Sequence, residues 1–175
     1  MAHGPNFVIS VQGIREVDYM FKGIGARANA CQPVMESIYI DILEVVRENF
    51  DTEGGRTGSP WMPVTLTTQI WKARHGYDPR ILHATGELRE AMSTFRHPLQ
   101  YSRIEAFKIV IQSKLLRGKL HQVGYSIPHH GFAGGSGFTK VDARPYLRFR
   151  EDDRKRFAQK ILVWITRGEI IHGGV

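Results

Sequence analysis

The 175-residue chain holds a single cysteine, Cys31, so it can form no internal disulfide and offers no set of thiols for structural zinc. Nowhere do about eighteen apolar residues run together, the length a bilayer-spanning helix needs. The opening Met1-Ala2-His3-Gly4-Pro5 lacks the basic-then-apolar layout of a secretory signal. These absences set the expectation of a soluble protein made in a reducing cytosol, with no membrane partner.

Reactive motifs are missing too. There is no Gly-x-Ser-x-Gly, no His-Glu-x-x-His and no Cys-x-x-Cys. The glycine-rich stretch Glu53-Gly54-Gly55-Arg56-Thr57-Gly58 lacks the Gly-Lys-Ser/Thr ending of a phosphate loop. His83, His97, His121, His129 and His130 are numerous but have no spacing that directs several rings at one ion. The expectation is no catalytic residue, no metal site and no cofactor.

What is present fits one domain with one core: 42% of residues are hydrophobic. Lys and Arg number 24 against 17 acids, a formal charge of +7. That charge permits contact with a polyanion, and a stand-alone basic nucleic-acid-binding protein is the alternative function. The basic residues are scattered rather than clustered, as on a solvated surface or a subunit interface.

Periodicity supplies the elements. Asn6 to Gln12 alternates as a strand, and Ile14 to Ala30 follows with Val17, Met20, Phe21 and Ile24 as a helical stripe. From Val34 to Phe50, Ile38, Ile42, Val45 and Val46 recur at helical spacing, with Glu36, Asp41, Glu44 and Glu48 on the solvent side. Asp51 to Ser59 is too poor in apolar groups to order itself, and Trp61 follows between Pro60 and Pro63 as either a core lid or a partner anchor. Thr65 caps a helix to Arg74 in which Ile70 and Trp71 make the apolar contacts. Thr85 caps a second helix carrying Leu88, Ala91, Met92 and Phe95.

Residues 95 to 113 read as strands turning near Gln100 to Arg103, and 115 to 124 as a short helix or turn. Tyr125 to Asp142 has little apolar patterning and reads as a long loop ordered by a partner. Arg144 to Phe149 reads as an edge strand, and Glu151 opens a helix with Phe157, Ile161, Trp164 and Ile165 on one face, stopped by Gly168. The core is expected from Ile38, Ile42, Val45, Leu88, Phe107, Ile109, Phe157 and Ile161.

Five landmarks recur in a distinctive order: Phe50 with Glu53-Gly54, then Trp61-x-Pro63 with Thr68 and Lys72, Ile81-Leu82-x-x-Thr85-Gly86-x-Leu88, His121-Gln122-x-Gly124, and Ala143-Arg144-Pro145-Tyr146-Leu147. Together, over about residues 34 to 165, they resemble the virion morphogenesis, or tail completion, family of tailed bacteriophages. The chain departs from that pattern at Gly118-Lys119-Leu120, where the family has an aromatic residue and alanine before His-Gln, and at Tyr146, where it has phenylalanine.

The resemblance implies an α+β fold with helices against a small antiparallel sheet, and a non-enzymatic structural role in a ring at the phage head-tail junction or tail end. It implies a virion location after assembly in the host cytoplasm. A homo-oligomer is expected, a hexamer with a dodecamer as the alternative, next to other neck, connector or tail-tube proteins and with non-specific proximity to DNA in the lumen. Residues 51–64 and 125–142 are expected to act as arms and 168–175 as a mobile or partner-bound tail. The expected interface residues are Trp61, His121, Gln122, Arg144 and Tyr146.

Overall fold

The computed structural model describes residues 14–130 and 136–171. The strand expected at 6–12 and the end of the tail lie outside them. The element order is α1 (Ile14–Asn29), α2 (Gln32–Asp51), a 3-10 turn (Gly55–Thr57), α3 (Leu66–Arg74), α4 (Glu87–Ser93), β1 (Gln100–Glu105), β2 (Lys108–Ser113), α5 (Leu116–Val123), β3 (Tyr125–His130), β4 (Ser136–Val141) and α6 (Glu151–Arg167). The fold is α+β, and its strands form two separate antiparallel hairpins, β1–β2 and β3–β4.

Helix α2 is the element on which the others pack. Pro33 lies in its first turn, where a missing N–H costs nothing. Val34, Ile38, Ile42, Val45, Val46 and Phe50 are all buried along it. Helix α6, helix α4 and the β1–β2 hairpin pack against it, and α1 packs on α6. Burying this stripe supplies the main driving force, on the order of 1.5–3 kcal/mol per large apolar side chain.

Polar groups cross the same packing. Lys160 of α6, only 2% exposed, donates to the Ser37 hydroxyl at 3.1 Å and pairs with Asp41 of α2 at 2.7 Å. Asp41, expected among solvated acids, therefore faces α6 instead. At the other end of α6, Arg27 of α1 donates to the Ile165 and Thr166 carbonyls, which the helix itself leaves open.

Several expectations change in detail. The second capped helix starts at Glu87 with Gly86 as N-cap at φ 76°, not at Thr85. The preceding residues are taken up by turns in which Leu82 has φ 61° and His83 is buried. The first hairpin turns at Ala106–Phe107, not at 100–103, so Phe107 sits at its tip and is 72% exposed instead of in the core. Ile109 and Ile111, in the same alternation but within β2 rather than at the turn, do pack on the core. In α3 only Lys72 is buried, while Ile70 and Trp71 remain largely exposed.

Within the stretch 125–142, Tyr125–His130 and Ser136–Val141 are strands that pair antiparallel from Tyr125↔Val141 to His130↔Ser136. Each strand satisfies the other's backbone, and alternation is weak in sequence because Ile127 and Phe138 are both exposed. Residues 144–149 form no strand, because side chains take their backbone groups. Asn49 Nδ2 donates to the carbonyls of Tyr146 and Arg148, each at 2.9 Å, and Leu147 N–H donates to Gln122 Oε1 at 3.2 Å.

Leu88 is 4% exposed in the core and Phe107 is at a hairpin tip. Leu88→Ala is expected to cost about 2–5 kcal/mol in urea unfolding, whereas Phe107→Ser should shift the midpoint little. The reverse ranking would mean the α4 docking is misassigned.

Candidate functional site

At the carboxyl end of α2, Phe50 stands at the centre of an aromatic cluster. Its ring is 5.6 Å from Trp61 and 6.0 Å from His83, both edge-on, and stacks on Tyr146 at 5.3 Å. Edge-on and offset arrangements suit the ring quadrupoles. Trp61 arrives there because its N–H donates to the Glu53 carbonyl at 2.8 Å while the indole lies across Gly54. A Cβ on Gly54 would stand 2.6 Å from the indole Cδ1, and its φ of 81° is itself one that favours glycine.

Polar fastenings surround the rings. The Glu53 carboxylate accepts from the Ile81 N–H. Lys72, 5% exposed, donates to the carbonyls of Asp78 at 3.0 Å and Arg80 at 2.6 Å, so it closes the 78–80 turn, and burial lowers its pKa. Arg56 makes a two-pronged pair with Asp153 at 2.7 and 2.5 Å and also contacts Glu48, tying the loop after α2 to the start of α6. Burial pushes the Asp153 carboxyl up, but the Arg56 pair and the Arg150 N–H outweigh it and hold the group below its usual value. Glu53, Arg56 and Trp61, within the stretch expected to act as an arm, are thus each fastened to their own subunit.

The five expected interface residues fall in one region with unequal roles. Trp61 is 4% and Tyr146 1% exposed, so Trp61 is the core lid, and neither ring is presented to a partner. The Tyr146 hydroxyl, its pKa pushed up to about 12 by burial, donates to the Gly118 carbonyl at 3.1 Å. Arg144 pairs with no carboxylate among the described residues: its Nε and Nη2 both donate to the Met62 carbonyl, at 3.2 and 3.1 Å. Gln122 brackets Leu147, donating to its carbonyl and accepting from its N–H. His121 accepts the Arg144 N–H on its carbonyl at 2.7 Å and places its ring edge-on to Tyr125 at 5.4 Å.

Asn49, Arg56, Lys72 and Asp153 carry as much of this site as the residues expected from sequence. Asn49 had a visible signal, since it shares the buried helical face of Val45, Val46 and Phe50. The ion pair had none, because its partners stand 97 residues apart.

The landmark residues therefore converge: Phe50, Glu53, Gly54, Trp61, Lys72, Ile81, Leu88 and Tyr146 build one shared interior rather than a set of reactive groups aimed at a common point. The phage virion morphogenesis family profile matches residues 13–166. The chain belongs to that family. No curated protein and no solved structure matches it. Membership makes this a phage structural or assembly protein associated with the virion.

Beside the cluster this virion morphogenesis protein has an open groove of about 730 Å³. It lies between the 62–65 segment, α3, the 82–88 stretch, the end of α5 and the base of β3–β4. Among the described residues no three His, Cys, Asp or Glu side chains gather as a metal site, and no helix is long and apolar enough to cross a membrane.

His121 lines that groove, and its Nδ1 is buried without a hydrogen-bond partner among the described residues. Burial first, then Arg144 and Arg117, push its pKa down to about 4. The native ring stays neutral while the unfolded ring, with a pKa of about 6.5, takes a proton. Stability from this residue is therefore full above pH 6.5 and falls as the pH drops towards 4. His121→Gln is expected to flatten that part of the urea-midpoint profile relative to the unaltered protein; identical slopes would show an ordinary solvated histidine.

Proposed function

We propose that this family member is a structural subunit of a ring at the phage head-tail junction, joining the head connector to the tail tube as a neck or tail completion protein. The β3–β4 ribbon carries this reading. It is two-stranded, pairs only with itself among the described strands, and bears Phe138 at 74% and Ile127 at 45% exposure. A lone two-stranded ribbon is at best marginal in water. Large apolar side chains on such an arm gain by packing against a neighbour, as subunits of an assembly do.

The surface charge supports assembly over stand-alone nucleic-acid binding. Arg56, Arg80, Arg89, Arg103, Arg117 and Arg150 are each paired with a carboxylate of the same chain and so are not a free phosphate-binding stripe. Six-fold closure is the leading expectation and twelve-fold the alternative, since one head-to-tail contact gives a ring whenever its rotation divides the circle.

The test combines mass analysis with imaging of the purified protein in 50 and 200 mM salt. Rings that persist at both are expected, because a phosphate binder loses on the order of a thousandfold in affinity across that range while an apolar contact does not. Phe138→Ser should leave circular dichroism and melting unchanged and reduce incorporation into virions. A monomer that binds DNA only at low salt would replace this reading with the nucleic-acid one.

A further inference from the structure

Two surfaces lack an internal partner among the described residues, and they are complementary. On α1, at about 100° per residue, Val17, Met20, Phe21 and Ile24 share one face. Val17, Met20 and Phe21 are 48%, 54% and 62% exposed, because α1 is fastened to α6 only near Arg27. The same angular spacing puts Glu16 on one border of that stripe and Asp18 on the other, with Arg15 and Lys22 on the far side. Asp18 is paired with Lys22 at 2.7 Å, so the stripe is apolar with Glu16 as the acidic edge that has no ion pair among the described residues.

The groove has the opposite character. Leu82, Leu88, Ile127 and Val141 contribute to an apolar lining; of the four cations there, Arg117 is paired with Glu87 and Lys140 with Asp142, which leaves Lys72 and Arg144. Among the described residues Lys72 and Arg144 donate only to backbone carbonyls, and no carboxylate there neutralises them at hydrogen-bond range.

We propose that the α1 stripe of one subunit seats in the groove of a second copy of this chain, with Glu16 set towards the side of the groove that holds Lys72 and Arg144. This rests on the ring reading above and names its contact. Two facts make a neighbour's helix the occupant. Helix α1 joins the start of α2, whereas the groove lies past its end by Met62, and the 20 residues of α2 separate them by roughly 30 Å. In addition, Arg27 holds α1 against the far end of α6, so the helix cannot fold back into its own groove without giving up those bonds. An amphipathic helix laid in a groove through residues at i, i+3, i+4 and i+7 is a recurrent recognition mode. A stripe at one end and a groove at the other make a head-to-tail contact, which closes into a ring or propagates.

The test uses full-length protein carrying Phe21→Glu or, separately, Ile127→Glu, both at exposed positions. Sedimentation velocity should show assembly of the unaltered protein and monomers of each variant, with unchanged melting temperatures. Mixing the two variants should give a dimer and nothing larger, since only one intact stripe and one intact groove remain per pair. If both variants assemble normally, or the mixture stays monomeric, the contact is wrong although the ring stands. A lowered melting temperature for Phe21→Glu with normal assembly overturns it as well, since the stripe is then covered within its own subunit. An unaltered protein that never assembles removes the ring and this contact together.

Discussion

The packing of Phe50 against Trp61, His83 and Tyr146 is the constraint on which this structure depends. Four stretches far apart in sequence meet at that ring: the end of α2, the segment after the glycine-rich loop, the 81–83 turn and the 143–149 segment. Each favourable aromatic pair adds on the order of 0.5–1.5 kcal/mol beyond area burial. More important is what the cluster positions. Gly54 must lack a side chain for the indole to lie down, and the groove opens immediately beside the residue that follows it, Met62.

Polar groups give this apolar centre a single arrangement. Asn49 replaces a strand partner for the 146–148 carbonyls, Lys72 gathers the 78–80 carbonyls, and Arg56 with Asp153 joins the loop after α2 to the start of α6. Desolvating such groups offsets much of their attraction, so they contribute more to specificity than to net stability, although breaking a buried pair typically costs about 3–5 kcal/mol. A subunit of an assembly has use for such rigidity, because an error in one subunit's shape repeats at every copy.

The long helices were legible in the sequence because their burial follows a 3.6-residue period, and α2, α3 and α6 end close to the expected residues. The hairpins were less so. Nothing in Ala106-Phe107 marks a turn, and the ribbon's strands, with exposed Ile127 and Phe138, show no apolar alternation to detect. The landmark residues were legible as a set, but their job was not. Trp61 and Tyr146 look like anchors in isolation, and only the Phe50 ring opposite both shows that they face inward. Likewise Asp41 reads as a surface charge until α6 is laid on α2 and brings Lys160 to it.

The link from Tyr146 to Gly118 fixes how close α5 comes to the core: the hydroxyl of Tyr146 donates to the Gly118 carbonyl. Gly118 itself leaves no room for a side chain, since a Cβ there would lie 2.5 Å from Ser113 Oγ and 2.7 Å from Leu88 Cδ1. Any side chain at position 118 would therefore crowd the crossing of α5 with Leu88 and Ser113, whereas the Tyr146 hydroxyl keeps its backbone acceptor whatever residue stands there.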